Sequence, residues 1–277
     1  MFLAATALAA PRIQVHGHRG ARAAMPENSL PAFQYAIEQG VDVLEMDMAV
    51  TKDNVVVLSH DSEMNPAFCS GPAGSPKAIR EMTLEELRKW DCGARVNPEF
   101  PKQKALAGTR VPTLDEVFTA TKAAKVEYNI ETKISRNKPD LAPSPEEFVR
   151  LFLDVVKKHH LEDRVILQSF DPRTLIAMRR LDPKIRLSAL MPENALGAFK
   201  DWVGLCKDAA NAEIISPHYR VTTKGRVESA HEAGLRVIPW TANDPDQWQK
   251  LADYGVDAII TDDPAALIGW LKAKGLR

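Results

Sequence analysis

The sequence has few cysteines, no surplus of charge and no long apolar run, and each shortage excludes a class of protein. Its three cysteines form no C-x-x-C pair, which argues against a structural zinc site and a dithiol redox motif. The 36 basic residues nearly balance the 37 acidic ones, so binding to nucleic acid or to an anionic membrane is not expected. No apolar stretch reaches the roughly 18 residues of a membrane-spanning helix, so no stable membrane insertion is expected.

Residues 1–11, MFLAATALAAP, are apolar and rich in small side chains, but they contain no basic start. They resemble the second half of a secretory signal with its cleavage region, which predicts a periplasmic or secreted protein. The alternative is an N-terminal extension of a cytoplasmic protein. Cys69 and Cys92 could pair in an oxidising compartment, and free buried thiols are the other possibility.

Short β-rich runs alternate with amphipathic helical stretches along the rest of the chain. The predicted strands are 13–17, 41–50, 55–59, 126–132, 165–169, 185–190, 213–216, 235–240 and 257–260. The predicted helices are 29–39, 83–90, 114–124, 145–158, 172–181, 194–207, 222–232, 245–253 and one that begins at Pro264. About eight core strands, each followed by a helix, in a length close to the roughly 250 residues of a (β/α)8 barrel, predict an α/β protein with a TIM barrel over 12–277.

A doubly wound open sheet is the main alternative architecture. Against it, no G-x-G-x-x-G sequence follows the first predicted strand. Polar residues also follow the C-terminal ends of many strands, as the active face of a barrel requires, whereas an open sheet concentrates them at one point.

Residues 61–112 interrupt the alternation. They are rich in proline, glycine and serine and contain one clear helix, 83–90, which Thr83 caps with the support of Glu86. This segment is predicted to be a small insertion after the second strand region. It could serve as a lid or as a substrate-binding subdomain.

Two acidic residues lie within the predicted buried strand 41–50. Glu45 and Asp47 share one face of it, because side chains alternate along a strand. Two ionised carboxylates in a poorly hydrated place repel each other and lose hydration, and a hard divalent cation would relieve both effects. The alternative is a salt-bridged or half-exposed strand.

A third carboxylate, Glu131, lies near the C-terminal end of strand 126–132 and is placed to join this pair. Three carboxylates without cysteine or a histidine cluster favour one Mg²⁺ or Ca²⁺ ion over zinc, copper or iron. Lys133 adds a positive charge that suits an anionic substrate such as a phosphate. A structural Glu–Lys pair is the alternative for this strand.

Two histidines, His18 and His60, end predicted strands that should be neighbours around the barrel. One imidazole could accept a proton while the other donates one near neutral pH, although each could also be structural. Arg19 could hold two phosphate oxygens. Trp240 ends strand 235–240 and could form a wall of the substrate pocket or pack on top of the barrel.

Taken in order, these motifs resemble the pattern of the glycerophosphodiester phosphodiesterase family. The resemblance covers almost the whole chain and rests on His18-Arg19-Gly20, Pro26-Glu27-Asn28-Ser29, Glu45-Met46-Asp47, Thr51-Lys52-Asp53, His60-Asp61, Pro112-Thr113-Leu114-Asp115-Glu116, Asn129-Ile130-Glu131-Thr132-Lys133, Ser169-Phe170, Trp240-Thr241-Ala242-Asn243 and Gly255-Val256-Asp257-Ala258-Ile259-Ile260-Thr261-Asp262. Ser29 and Thr132 depart from the usual residues of the pattern. The insertion matches least, which leaves the alcohol specificity open.

The resemblance implies a TIM barrel that hydrolyses small glycerophosphodiesters, such as glycerophosphocholine and glycerophosphoethanolamine, to sn-glycerol 3-phosphate and an alcohol. The implied metal ligands are Glu45, Asp47 and Glu131, the implied acid and base are His18 and His60, and the implied substrate-binding residues are Arg19, Lys133, Phe170 and Trp240.

Three alternatives to this function remain at the level of sequence. The chain could be a lysophospholipase D-type enzyme, a non-catalytic phosphodiester-binding barrel, or a metal-dependent barrel that acts on sugars or amides. His16-Gly17-His18 superficially imitates the zinc-binding motif of the last class, but His16 is expected to lie one layer deeper than His18.

Overall fold

The computed structural model describes residues 12–194 and 201–277, so the predicted signal segment and part of the predicted helix 194–207 lie outside it. The strands of the described residues are β1 (Gln14–Gly17), β2 (Val43–Val50), β3 (Val56–Leu58), β4 (Glu127–Thr132), β5 (Val165–Ser169), β6 (Arg186–Met191), β7 (Ile214–Pro217), β8 (Arg236–Val237) and β9 (Ala258–Thr261). Their helices are α1 (Leu30–Gln39), α2 (Leu84–Leu87), α3 (Leu114–Thr121), α4 (Pro145–His159), α5 (Pro172–Leu181), α6 (Trp202–Asp208), α7 (Lys224–Glu232), α8 (Pro245–Tyr254) and α9 (Pro264–Ala273).

Eight parallel strands form a nearly closed barrel in the order β8-β7-β6-β5-β4-β2-β1-β9. Hydrogen bonds link the last strand of the chain to the segment of β8: Asp257 N donates to Val237 O at 3.1 Å, and Ile260 N donates to Pro239 O at 3.0 Å. Parallel neighbours require a crossover, and helices lie between the barrel strands. The predicted (β/α)8 barrel is therefore confirmed.

The predicted strand 55–59 does not belong to the barrel. As β3 it runs antiparallel to β2, with Met48 paired to Leu58. The turn 51–54 is too short for the crossover that a parallel neighbour would need, so the chain returns as a hairpin. The prediction that His60 ends a barrel strand is wrong for this reason, although the hairpin brings it back to the level of Asp47, whose carbonyl accepts from Ser59 N at 2.9 Å.

Local signals set most helix boundaries. Ser29 caps α1 through Ala32 N, and Gly40 ends it with a φ of 89°, a left-handed conformation that favours glycine. Helix α2 begins at the predicted capping box but ends at Leu87, three residues before the predicted end. Strand β8 covers only two residues of the predicted 235–240.

The segment 61–112 connects β3 to α3. Its apolar residues, which include Met64, Met82 and Trp90, form a small cluster with Ala49 of β2 and Val57 of β3. Its two ends are held together where Leu58 N donates to Pro112 O at 2.9 Å. A disulfide joins Cys69 to Cys92, so the pairing that the sequence left open is present in the structure. No helix within the described ranges has the length and apolarity that crossing a bilayer requires.

Candidate active site

Three buried carboxylates meet at the C-terminal end of neighbouring strands β2 and β4. Asp47 pairs in register with Glu131, and Glu45 lies two residues earlier on the same face of β2. One oxygen of each side chain lies within 4.8 Å of the others, an arrangement that could hold a metal ion. The parallel pairing of β2 and β4 thus brings together the residues that the sequence predicts as metal ligands.

The three carboxylates differ in charge environment. Burial raises the pKa of Glu45 well above its usual value, and the charge of Asp47 raises it further. Burial also raises the pKa of Glu131, although Lys133 opposes this shift. For Asp47, burial alone would raise the pKa, but Lys133 and Arg19 hold it well below its usual range. Asp47 is therefore the carboxylate with the strongest preference for negative charge.

Lys133 lies between two of the carboxylates, with its Nζ 3.1 Å from Asp47 Oδ1 and 2.8 Å from Glu131 Oε1. Asp47 Oδ1 nevertheless accepts no well-aligned hydrogen bond from the described residues. A buried carboxylate oxygen in this state, beside two further carboxylates, fits a hard divalent cation that prefers oxygen ligands. The observed donor set is therefore compatible with the predicted Mg²⁺ or Ca²⁺ site.

Neighbouring strands and loops hold Glu45 in place. Gln168 Nε2 donates to Glu45 Oε1 at 2.7 Å, and the backbone N of Arg19 donates to Glu45 Oε2 at 2.9 Å. Gln168 is oriented in turn by Asn129 Nδ2, which donates to Gln168 Oε1 at 3.0 Å. Two donors, one on β5 and one in the loop after β1, thus preorganise the carboxylate, and a residue of β4 orients the donor on β5.

Asn28 provides matching support for Asp47. Its Nδ2 donates to Asp47 Oδ2 at 2.9 Å, and its Oδ1 accepts from Asp47 N at 3.2 Å. Asn28 adopts a left-handed backbone with a φ of 51°, a conformation that asparagine tolerates better than most residues.

The Arg19 guanidinium is buried and faces two carboxylates. Its Nη1 lies 2.7 Å from Glu27 Oε1, and its Nε lies 3.3 Å from Asp47 Oδ2. Burial by itself would lower the pKa of Arg19, but Asp47 and Glu27 raise it above its usual value. In the described structure the predicted phosphate-binding fork is therefore engaged with protein carboxylates.

His18 follows β1, and each of its ring nitrogens faces a carboxylate. Its Nδ1 lies 2.5 Å from Asp262 Oδ1, and its Nε2 faces Glu45 Oε2 at 3.9 Å. Burial lowers the pKa of His18, while the Asp262 carboxylate opposes this shift. The Nε2 edge of the imidazole is therefore directed towards the carboxylate cluster.

His60 is more exposed than His18. Its Nδ1 is 2.8 Å from Asp61 Oδ1, and its side chain is 37% exposed. The hydrogen bond from His60 lowers the pKa of Asp61, and Asn65 Nδ2 donates to the other oxygen of Asp61 at 3.3 Å. Each predicted acid–base histidine is thus bound through Nδ1 to its own aspartate.

A cavity of about 640 Å³ opens beside these residues and is lined by His60, Glu131, Lys133 and Phe170, among others. Trp240 lies behind Phe170, with the two rings in a T-shaped contact at 5.5 Å, and its Nε1 donates to Ser216 O at 2.9 Å. The structure thus places Phe170 in the cavity wall and Trp240 as its support.

His16 is fully buried one layer below the cluster, and its Nδ1 lies 3.5 Å from Asn129 Nδ2. This placement agrees with the expectation from sequence that His16 lies deeper than His18. The supporting residues that sequence reasoning assigned no role are Glu27, Asn28, Gln168, Asn243 and Asp262. Asp262 did carry a signal, because it follows the last predicted strand.

Comparison with known proteins is consistent with this geometry. Residues 18–266 match the model of the glycerophosphoryl diester phosphodiesterase family. A glycerophosphodiester phosphodiesterase from Caldanaerobacter subterraneus subsp. tengcongensis is 30% identical over 94% of this chain and 98% of its own length. One from Bacillus subtilis is 28% identical over 93% of this chain and 86% of its own length.

A solved structure from Silicibacter pomeroyi resembles the whole barrel, with a TM-score of 0.88 and 29% identity over 96% of this chain and 95% of that chain. The family match spans nearly the whole sequence and confirms the resemblance that the motifs indicated. The chain therefore belongs to the glycerophosphoryl diester phosphodiesterase family.

Proposed function

We propose that this protein is a metal-dependent glycerophosphodiester phosphodiesterase that releases sn-glycerol 3-phosphate and an alcohol. The observation that carries the proposal is the buried cluster of Glu45, Asp47 and Glu131, with the aspartate-bound His18 beside Glu45. Glu131 also lines an open cavity together with the aspartate-bound His60. The relative from Caldanaerobacter subterraneus, which is matched along almost its whole length, supports the same activity.

The three carboxylates are the proposed ligands of one Mg²⁺ or Ca²⁺ ion. When bound, such an ion neutralises negative charge on the phosphodiester and orients it for attack. Lys133, which lies beside Asp47 and Glu131, is placed to contact a phosphate oxygen at the edge of the cavity. Arg19 contributes positive charge and keeps the acidic cluster compact through Glu27 and Asp47.

His18 and His60 are the proposed general acid and base. Hydrogen bonds from Nδ1 to Asp262 and Asp61 leave the Nε2 atom of each ring to exchange a proton with the substrate. One ring, neutral and unprotonated at Nε2, removes the proton of the attacking hydroxyl, and the other ring, as an imidazolium, donates its Nε2 proton to the leaving alcohol. The attacking group is either water or the glycerol 2-hydroxyl.

The charged side chains of the cavity, which lie beside apolar ones such as Met64, Ile134 and Leu141, favour small polar alcohols. Its lining includes the acidic Asp61 and Glu63 and the basic Lys77 and Lys138, and Lys138 Nζ lies 2.9 Å from Glu63 Oε2. Desolvating such charges against an acyl chain would cost free energy. Head groups such as choline and ethanolamine are therefore the proposed alcohols, in preference to the lipid chain of a lysophospholipase D substrate.

Product release from glycerophosphocholine tests the proposal. The purified protein is treated with EDTA and assayed before and after Mg²⁺ or Ca²⁺ is restored, with lysophosphatidylcholine as the matched lipid substrate. Metal-restored release of sn-glycerol 3-phosphate and choline is expected. Phosphocholine with glycerol as products would place the cut on the other P–O bond, and release of product from the lysolipid alone would replace the proposed substrate class.

We also propose that the protein works in the periplasm or outside the cell. The Cys69–Cys92 disulfide supports this location, because disulfides persist mainly in oxidising compartments. Cell fractionation with thiol labelling of the native protein is the direct test. Recovery of the reduced protein in the cytoplasmic fraction would contradict the proposal.

A further inference from the structure

Asp262 is a buried carboxylate that follows β9, and both of its oxygens have partners. Its Oδ1 is 2.5 Å from His18 Nδ1, and its Oδ2 accepts from Asn243 Nδ2 at 2.7 Å. Arg22 Nε lies farther away, 3.7 Å from Oδ1. The shortest contact of Asp262 is therefore the one to His18.

Asn243 fixes the direction of this carboxylate. Its Oδ1 accepts from Asp262 N at 2.9 Å and from Thr261 Oγ1 at 3.2 Å, which leaves its Nδ2 to donate to Asp262. The backbone N of Asn243 donates to Gln247 Oε1 at 2.8 Å, so the loop after β8 is tied to the start of α8. The amide and the carboxylate therefore hold each other in one orientation.

The main chain places His18 in the same frame. His18 N donates to Thr261 O at 2.9 Å, so its backbone is tied to the residue before Asp262. Because an ionised carboxylate can only accept, the Nδ1 of His18 must carry the proton in this contact. The Nε2 atom is then unprotonated and faces the acidic cluster, where it lies 3.9 Å from Glu45 Oε2.

We propose that Asp262 is a positioning residue that fixes the ring orientation and the tautomer of His18, with Asn243 orienting Asp262. The inference rests on the proposed function, in which His18 Nε2 exchanges a proton with the substrate. His60 is held differently, because its partner Asp61 is adjacent in sequence and 45% exposed. Water can replace Asp61 more readily than it can replace a buried carboxylate, so Asp61→Asn should have the smaller effect.

The first test compares Asp262→Asn with a matched control, Asp257→Asn. Asp257 precedes β9 at the other end of the barrel, where its Oδ2 accepts from Val237 N at 2.7 Å and contacts His231 Nε2 at 3.0 Å. Asp262→Asn is expected to lower kcat by roughly 10²–10⁴-fold with the metal-binding midpoint unchanged, because the wrong tautomer leaves no base at Nε2. Asp257→Asn is expected to lower thermal stability while kcat stays within about threefold of wild type.

The second test is a double-mutant cycle with His18→Ala. If Asp262 acts through His18, adding Asp262→Asn to His18→Ala should change kcat by less than about threefold. An undiminished loss in the His18→Ala background would overturn the inference, because the carboxylate would then act independently of the ring.

Imidazole ¹⁵N NMR decides the inference even if glycerophosphodiesters are not the substrate. The His18 resonances, assigned by their absence from His18→Ala, should show a protonated Nδ1 and an unprotonated Nε2 in the wild type and in Asp257→Asn. Asp262→Asn should convert them towards the other tautomer. An unchanged tautomer would overturn the inference, whereas a wild-type protein that cleaves no glycerophosphodiester but shows this tautomer shift would overturn only the proposed function.

Discussion

At the scale of single residues, the three carboxylates of the site differ in their preference for the ionised form. The charges of Lys133 and Arg19 lower the pKa of Asp47 and keep it ionised, whereas burial raises the pKa of Glu45 and Glu131. Without a cation, full ionisation of the cluster is therefore unfavourable. A divalent ion would compensate this repulsion, so metal binding and stability should be coupled.

Replacing Glu45 by glutamine tests this coupling. The neutral amide keeps the shape of the side chain but removes one charged ligand, so Glu45→Gln should lose more than half of the metal-dependent rise in Tm. For a wild-type protein with metal at about 100 times its Kd, that rise corresponds to about 2.7 kcal/mol. Thermal melts with EDTA and with added Ca²⁺ or Mg²⁺ measure it.

Glu127→Gln is the matched control for that experiment. Glu127 begins β4 and pairs at 3.0 Å with Arg186, outside the acidic cluster. Its variant should keep the wild-type response to metal. An equal metal-dependent shift in Glu45→Gln would remove Glu45 from the proposed ligand set.

Replacing His60 by alanine separates catalysis from metal binding. Because His60 contacts Asp61 rather than a proposed ligand, His60→Ala should preserve the metal-dependent melting shift. Turnover should fall by roughly 10²–10⁴-fold, the usual contribution of a general acid or base. His231→Ala, at the hydrogen bond to Asp257, is the control. Turnover near the wild-type rate in His60→Ala would assign this histidine a structural role.

At the scale of elements, the sequence predicted strands and helices well where the hydrophobic periodicity and the helix-capping residues indicated the same boundaries. Strand β5 and helix α5 have the predicted boundaries, and Asp171 caps the helix through Arg173 N. A β-rich run does not indicate whether it pairs parallel or antiparallel. The short turn 51–54 determines that β3 pairs antiparallel with β2 and lies outside the barrel. The short length of β8 could not be predicted either, because the number of its residues that pair depends on the position of the neighbouring strands.

The insertion is the element whose stability depends most on one covalent link. Cys69 and Cys92 are 23 residues apart, and closing a loop of that size stabilises the folded form by about 3 kcal/mol in the chain-entropy account. The variant Cys69→Ser/Cys92→Ser should therefore open this segment roughly a hundredfold more often. Limited proteolysis within 61–112 should be faster by that factor while the barrel keeps its circular dichroism.

Reduction of the wild type with dithiothreitol provides the control for the double serine variant. It should reproduce the faster cleavage, and it should have no further effect on the variant. Equal cleavage rates for oxidised wild type and variant would show that the apolar core around Met82 and Trp90, without the disulfide, is sufficient to hold the insertion.

At the scale of the whole molecule, the barrel converts alternation along strands into one shared site. Period two placed Glu45 and Asp47 on one face from sequence alone, and Glu131 followed from the barrel architecture. The supporting contacts of Gln168, Asn28 and others could not be predicted, because they depend on register and on loop conformations between distant segments. For the same reason the sequence could not decide whether Cys69 and Cys92 are paired or free, because the two possibilities differ only in tertiary geometry.

His16, buried in the barrel interior, makes one contribution to stability that acid removes. Burial lowers the pKa of His16 to about 3, with smaller contributions from Arg236 and Arg186, whereas in the unfolded chain the imidazole has its ordinary pKa of 6.5. Between these values the unfolded state binds a proton that the folded state does not. Stability contributed by neutral His16 is thus fully present above pH 6.5 and falls by up to about 1.4 kcal/mol per pH unit towards pH 3.

His16→Gln removes this titration while keeping a polar side chain near Asn129. Between pH 7 and pH 5, the variant should lose about 2 kcal/mol less unfolding free energy than the wild type. Denaturant titrations in EDTA at both pH values measure the difference. The same pH dependence in His16→Gln and wild type would contradict this account, because a carboxylate with a lowered pKa, such as Asp47, loses its stabilising contribution only near and below its ordinary pKa of 3.8, outside this pH interval.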